Sequence, residues 1–425
     1  MSYQPNLRPV SRSSSTPRIC IVGGGFGGLY TALYLQKYRH LRNSKIVLIE
    51  PKERFLFTPM MYELITDELK EWEIVPTYSS LLSGTNVVWK QAHAEAIDLQ
   101  QQTVTAAGET IEYDYLVAAT GAENRPVNIP GVDRHTLTFR SLEDARELKA
   151  RLAQIVQGHR LQPDPSAPVQ IAVIGGGPSG VELSGKVKDY LKARGVRNVQ
   201  IALIERGDTI LAPFEQGLRK ISQKSLARRR INVMTETSVV DVKADSVTIE
   251  TDEGNRVLPS QLTLWAVGTQ PRPWLGEQAV ESNEQGQRLT RRSLQLLNHD
   301  NVFVLGDSAR AVDRNGKFEP APSTAQAAFQ AADKVAKNLA AMTQGKHPKA
   351  FKYLHLGDML TLGIGDAGLW SFGITVGGRL AALCRRGVYI FRMPTRRHQM
   401  KVGRRALGEL ARAIFMPWKK RSVSY

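Results

Sequence analysis

Two acidic side chains in this chain stand at nearly the same interval after the same kind of glycine cluster. Glu50 follows Gly23, Gly25 and Gly28, and Glu205 follows Gly175, Gly177 and Gly180. Both clusters have the G-x-G-x-x-G spacing. In that pattern the first glycine permits a tight turn, the second lets backbone approach a pyrophosphate, and the third lets a helix pack closely on a strand. The acids lie 22 and 25 residues beyond the last glycine of each set. A carboxylate at that interval can accept hydrogen bonds from a nucleotide ribose. The chemistry implied is the binding of two dinucleotides, with the phosphates held at helix N-termini by backbone N–H groups and the positive end of the helix dipole.

Glycine clusters also occur in ordinary turns, so the surrounding order of elements decides. Ile19–Val22 is an apolar run suited to a strand buried on both faces. It leads through the glycines into the helix-like FGGLYTALYL, and a second apolar run, Ile46–Ile49, ends at Glu50. The later copy repeats the layout: Ile171–Ile174, glycines, a helix-like stretch, then Gln200–Ile204 ending at Glu205. Two copies can mean a duplication that binds one ligand twice. Hydride transfer offers a better reason, because it needs a nicotinamide and an acceptor face to face, and a flavin is a common acceptor.

Further elements would complete two such units. YDYLVAATG is a buried strand running into a turn closed by Thr120 and Gly121. Pro126, Pro130 and Gly131 read as a crossover linker, and residues 135–160 as a charged helix. The second unit runs from about 168 to 270 and ends in LTLWAVGTQP, which contains Gly268. NVFVLGDSA is a strand ending at Gly306 and Asp307, followed by a helical stretch from Ser323 to Met342. The expected fold is α/β, with two Rossmann-like domains and the second inserted in the first. The expected boundaries are a disordered tail at 1–17, a first nucleotide domain at 18–134 and 274–345, a second at 135–273, and a basic C-terminal region at 346–425.

Composition narrows the class. A chain of 425 residues can hold two or three domains. It has no run of 18 apolar residues, so no transmembrane helix is expected. Residues 1–17 are rich in Ser, Pro and Arg without an acid, short for a transit peptide and lacking the apolar core of a secretory signal. The 2 cysteines are Cys20, inside the first strand, and Cys384. Without a vicinal thiol pair, electron relay to a disulfide is not expected, and Cys20 reads as a small buried hydrophobe. The histidines show no paired ligand spacing, so no metal is expected.

Charge is concentrated at one end. The net charge is +17, and residues 379–425 hold 13 Lys or Arg against the single acid Glu409. A basic tail can grip nucleic acid. Here the charges are interleaved with Leu380, Leu383, Val388, Tyr389, Phe391, Leu407, Leu410, Phe415 and Trp418. That mixture suits a helix lying apolar face down on an anionic bilayer, through residues 379–421. A solvated basic helix packed on the body is the plainer alternative.

These motifs resemble the two-dinucleotide-binding-domain flavoproteins of the glutathione-reductase-like fold, on the two glycine signatures, ATG at 119–121 and GD at 306–307. Within them, AQAAFQ at 325–330 resembles the AQ-x-A-x-Q element of the type II NAD(P)H:quinone oxidoreductases. FLFTPMMYELITDELKEWEI and MPTRRHQ look more particularly like the cyanobacterial and plastid branch, which includes demethylphylloquinone reductases. The resemblance spans Arg18 to about Arg421. It implies that Gly23, Gly25, Gly28 and Glu50 hold FAD, with Asp307 on its ribityl or pyrophosphate portion. It implies that the helix opening at Ala325 and Gln326 faces the flavin pyrimidine edge, and that Gln326 and Gln330, sharing one helix face, border the quinone. From spacing alone, two amides on a solvated helix is the simpler reading. The resemblance also sets Glu182 near the nicotinamide, where it guides nicotinamide, quinone or protons; the competing account is a first-turn acid matched to the helix dipole. Ser184 and Lys186 depart from a family pattern that is more acidic or alanine-like there. The activity implied is hydride transfer from NADH or NADPH through FAD to a membrane quinone, by a peripheral protein on the cytoplasmic or stromal side, with no nucleic-acid partner; a homodimer is compatible with it. A soluble reductase passing electrons to a protein partner and a non-catalytic nucleotide-binding module are the rival readings. The first would ignore quinones and the second would show negligible turnover.

Overall fold

The computed structural model describes residues 16–415 apart from 163, 165, 314–315 and 318–320. Most of the expected N-terminal tail, together with Trp418 and the last basic run, lies outside the described residues.

The apolar runs form two parallel sheets with matching layouts. The first has the order Val302–Val304, Tyr115–Ala118, Arg18–Val22, Lys45–Ile49, Val87–Lys90. The glycine-bearing strand is central, with Ile21 in register with Leu48 on one side and Val117 on the other. The second sheet has the order Ile231–Met234, Val199–Ile204, Val169–Ile174, Leu262–Trp265, Thr136–Leu137. Again the glycine-bearing strand is central, with Val173 opposite Leu203 and Leu264. Burial on both faces is why these strands read as continuous apolar runs rather than alternating ones. One sheet face is covered in each case by a three-stranded antiparallel meander. Val104, Ala106 and Tyr113 pack with Cys20, Val22 and Ala118, and Val239, Val247 and Ile249 pack with Ala172, Ile174 and Ile204.

The chain divides into two compact units. One comprises residues up to Lys52, Leu82–Gly121 and Pro271–Tyr353; the other comprises Glu53–Leu81, Ala122–Gln270 and the chain from Leu354 onward. Residues 53–81, expected with the first nucleotide domain, thus fall in the second unit, as does the C-terminal region. The charged helix expected over 135–160 is Leu142–Leu161, preceded by a short helix, Val132–His135. Its start is set by Ser141, whose hydroxyl accepts the Asp144 N–H at 3.0 Å, an N-cap that satisfies one otherwise unpaired helix donor.

In the first unit the helix Phe26–Leu35 packs along Ala325–Met342, with the Tyr30 and Phe329 rings 6.0 Å apart. In the second unit the C-terminal region opens with a three-stranded antiparallel sheet, Asp358–Gly363, Asp366–Ser371 and Ile374–Gly377. Two helices follow, Gly378–Arg392 and Arg396–Phe415. The first buries Ala381 and Arg385 and exposes Leu380, Leu383, Cys384 and Phe391. Among the described residues no helix is long and apolar enough to cross a membrane.

Candidate functional site

The two glycine loops separate packing from ligand approach. A Cβ added at Gly28 would lie 1.8 Å from the Gly23 carbonyl oxygen, and one at Gly23, where φ is +96°, would lie 2.4 Å from the Ala119 carbonyl oxygen. A Cβ at Gly25 would meet nothing within 4 Å. The second loop repeats this: Gly180 would strike the Gly175 carbonyl oxygen at 1.8 Å, Gly175 crowds the Ala266–Val267 segment that leads to Gly268, and Gly177 faces open space. The first and third glycines therefore serve the protein's own packing. The second presents bare backbone in front of a helix that no side chain caps, at Gly25 for Phe26–Leu35 and at Gly177 for Pro178–Ala193. Backbone so arranged could hold a pyrophosphate.

The two acids are held alike. Glu50 accepts the Gly24 N–H at 2.7 Å and the Lys52 N–H at 3.0 Å. Glu205 accepts the Gly176 N–H at 2.6 Å and the Gly207 N–H at 2.7 Å. Each carboxylate is thus fixed beside its own glycine loop. The remaining residues expected to hold FAD, Thr120, Gly121, Gly306, Asp307 and Ala325, share the first unit with Glu50. Gly306 and Asp307 form a 3-10 turn, and the Asp307 carbonyl accepts from Gln287 at 3.3 Å. Thr324 caps the helix that opens at Ala325 by accepting the Ala327 N–H at 3.2 Å. Gln326 accepts the Tyr353 hydroxyl at 3.2 Å, and both Gln326 and Gln330 are half-buried.

Glu182 belongs to the second unit and sits in a buried charged cluster. It is the fifth residue of the helix Pro178–Ala193, past the first turn, so the account of an acid matched to the helix dipole does not hold. Its carboxylate accepts the Thr361 N–H at 2.9 Å and lies 3.6 Å from the Arg385 guanidinium. Arg385 also binds Glu63 and the Pro59 carbonyl. Lys186, one turn beyond Glu182 and only 1% exposed, pairs with Glu68 and lies 4.0 Å from Glu63. Tyr62 donates to Ser179 at 3.1 Å, and the Tyr389 ring lies 4.9 Å from the Arg385 guanidinium.

Three carboxylates thus face two cations. Burial pushes the Glu182 carboxyl up to about 7, and the attraction of Arg385 only partly offsets it. Burial acts in the same upward direction on Glu63, but there Arg385 and Lys186 prevail and hold it below the usual carboxylate range. Two buried acids on one guanidinium are thereby separated, one ionised and one able to carry a proton near neutrality. Sequence reasoning found Glu182 but missed Glu63, Arg385 and Tyr62, and saw Lys186 only as a departure from pattern. The one local sign was an acid inside the apolar run MMYELI.

Cys20 is buried and its thiol is pushed up to about 12, as a structural hydrophobe requires.

The chain matches the family model of the pyridine nucleotide-disulphide oxidoreductases over residues 17–332. It is 41% identical over 398 residues to the demethylphylloquinone reductase of Synechocystis sp., covering 92% of this chain and 96% of that protein. It is 33% identical to the chloroplastic/mitochondrial alternative NAD(P)H-ubiquinone oxidoreductase of Arabidopsis thaliana, covering 91% and 80%. Among solved structures, NDH2 from Plasmodium falciparum in complex with NADH has the same fold, with a TM-score of 0.81 at 18% identity, covering 95% of this chain and 99% of that one.

Proposed function

The chain belongs to the pyridine nucleotide-disulphide oxidoreductase family, and from that membership we propose that it is an FAD-dependent NAD(P)H:quinone oxidoreductase acting on a membrane naphthoquinone or plastoquinone. The observation that carries this reading is the pair of glycine cradles, each with its own fixed acid, in a chain whose 2 cysteines stand 364 positions apart in sequence, at 20 and 384. Two dinucleotides are accommodated and no thiol pair exists to relay electrons to a disulfide.

FAD, when bound, supplies the hydride acceptor and two-electron donor chemistry. The chain's own residues do the rest. The loop at Gly25 and the acid Glu50 bind and orient one nucleotide; the loop at Gly177 and Glu205 do so for the other. Glu182 holds a proton near neutral pH, with its buried oxygen fixed by the Thr361 N–H. Gln326 and Gln330 border the quinone, and the N-terminus of their helix stabilises negative charge beside it.

A long-chain quinone resides in a bilayer, and the C-terminal helices offer the surface to meet it. Leu380, Leu383 and Phe391 are 62, 56 and 82% exposed on one helix, while Met400 and Leu407 are 58 and 67% exposed on the next. With the surrounding Lys and Arg they suit peripheral attachment to an anionic leaflet on the cytoplasmic or stromal side. The deciding experiment is steady-state turnover of the FAD-loaded protein with NADH or NADPH and a panel of benzoquinones and naphthoquinones. Oxidation of the nicotinamide without reduction of any quinone would refute the assignment.

A further inference from the structure

In the second unit, the segment Arg54–Ser80 and the start of the helix Arg396–Phe415 enclose a cavity of about 550 Å³. Its wall carries four cations, Arg54, Arg397, Lys401 and Arg404, and no carboxylate. Arg54 has Glu53 at 3.6 Å, on the exposed surface. Among the described residues no carboxylate forms an ion pair with Arg397, Lys401 or Arg404. The nearby acids are already engaged. Glu73 is held by Arg405 at 2.6 Å and by the Lys70 N–H at 2.7 Å, and Glu409 by Arg386 at 2.7 Å and Arg405 at 2.9 Å.

Arg54 is partly compensated by Glu53, but Arg397, Lys401 and Arg404, with no paired carboxylate among the described residues, repel one another and concentrate a positive potential in the concave wall. The first turn of the helix adds to this, with Arg396 and Arg397 and no acid, at the end where the helix dipole favours an anion. Thr395 supplies a hydroxyl, and the Trp72 indole flanks the Lys401 ammonium at 4.6 Å. The wall is therefore built for an anion with several oxygen acceptors. Met400, which lines the cavity and is 58% exposed, gives its rim an apolar side chain, and Leu407, outside the lining but farther along the same helix, is 67% exposed. An anion that arrives with hydrocarbon chains attached satisfies both the wall and the rim.

We propose that this cavity is a headgroup site for an acidic phospholipid, with the phosphodiester between Arg397, Lys401 and Arg404 and the acyl chains leaving past Met400. The site deepens the membrane reading given above and rests on it. It differs from diffuse charge attraction because it is a stoichiometric pocket with a defined wall.

The test uses the full-length FAD-loaded protein and monomeric dihexanoylphosphatidylglycerol, below its micelle-forming concentration, in isothermal titration calorimetry. The expected result is saturable binding of one lipid per chain. The paired substitution Arg397→Gln/Arg404→Gln weakens it by at least about tenfold, whereas Arg379→Gln/Lys224→Gln, which removes equal charge at exposed positions outside the cavity wall, weakens it by less than about threefold. FAD content and turnover of a water-soluble naphthoquinone serve as the check that both variants are folded. Absence of saturable binding overturns the proposal, as does an equal loss in both variants. Inorganic phosphate binding as tightly as the lipid would identify a soluble anion as the occupant, and dihexanoylphosphatidylcholine binding as tightly would identify a site for chains alone; either result overturns it. Flotation of the unaltered protein on phosphatidylcholine/phosphatidylglycerol vesicles is scored separately, so a failure of membrane attachment is distinguishable from a failure of the pocket.

Discussion

Glu182 is the residue on which pH should act most directly. Its carboxyl is pushed from about 4.5 up to about 7 by burial, so the folded protein holds a proton there that the unfolded chain releases. The associated stability is fully present below about pH 4.5 and is lost as pH rises through about 7. Each pKa unit corresponds to about 1.4 kcal/mol. Glu182→Gln, neutral at every pH, should therefore flatten the decline in urea-unfolding stability between pH 5 and 8; parallel curves for the two proteins would show that Glu182 does not titrate in that window. The same substitution should remove a proton-carrying group from the reaction, shifting the pH profile of kcat and not merely its height. Glu205 makes a prediction of another kind. Fixed by the Gly176 and Gly207 N–H groups, its carboxylate opposes a 2′-phosphate with like charge, while Arg206 next to it is positioned in sequence to pair with one. Glu205→Gln should raise the NADPH to NADH ratio of kcat/KM several-fold, and an unchanged ratio would mean that Glu205 does not read the ribose.

At the scale of elements, the glycine loops separate folding from binding. Gly28→Ala drives a methyl group into the Gly23 carbonyl and should yield unstable or insoluble protein. Gly25 has an ordinary φ of −65° and open space beside it, so Gly25→Val should fold, keep its melting cooperativity, and be recovered without flavin in acid supernatants. Flavin retained at the level of the unaltered protein would place the pyrophosphate elsewhere. The helix Ala325–Met342 supports a companion test. Gln326→Leu or Gln330→Leu should slow oxidation of the reduced protein by quinone by an order of magnitude or so while leaving its reduction by NAD(P)H intact; joint loss of both half-reactions would indicate a folding defect. These elements were legible in the sequence because their signals are local: apolar runs, glycine spacing and an acid at the end of the next strand. The buried cluster was not. Arg385 meets Glu63 across 322 positions and Lys186 meets Glu68 across 118, and neither an isolated arginine nor an isolated lysine carries a mark of its partner. The start of the helix at Leu142 was similarly misplaced, since a Ser-x-x-Asp cap outweighed the charged stretch that precedes it.

For the molecule as a whole, the C-terminal helices are not an appendage. Arg385 is 3% exposed and its charge is shared by Glu63 and Glu182, so truncation after Gly378 would strand Glu63 as a buried charge with only Lys186 for compensation. Unpaired buried charges of this kind cost several kcal/mol. Membrane attachment is better tested by Leu380→Ser/Leu383→Ser/Phe391→Ser, which leaves Arg385 in place. The triple variant should float poorly on anionic vesicles and reduce long-chain quinones much more slowly, with soluble quinones turned over as before. Attachment of the unaltered protein should weaken as salt shortens the Debye length to about 10 Å at 0.1 M, but not vanish, because burial of apolar side chains is insensitive to screening. Equal flotation of the two proteins would place the attachment surface elsewhere.

The contrast between the two cysteines has a practical corollary. Cys20 is sealed in the first sheet with its thiol pushed up to about 12, whereas Cys384 stands exposed beside Leu383 on the helix Gly378–Arg392. A thiol-reactive, polarity-sensitive fluorophore added to the native chain at neutral pH should therefore label one position, in the middle of the apolar stripe, without any engineered cysteine. Its emission would move to the blue as that stripe enters hydrocarbon and stay unchanged if the stripe remains in water, turning an unmodified sequence into its own depth gauge.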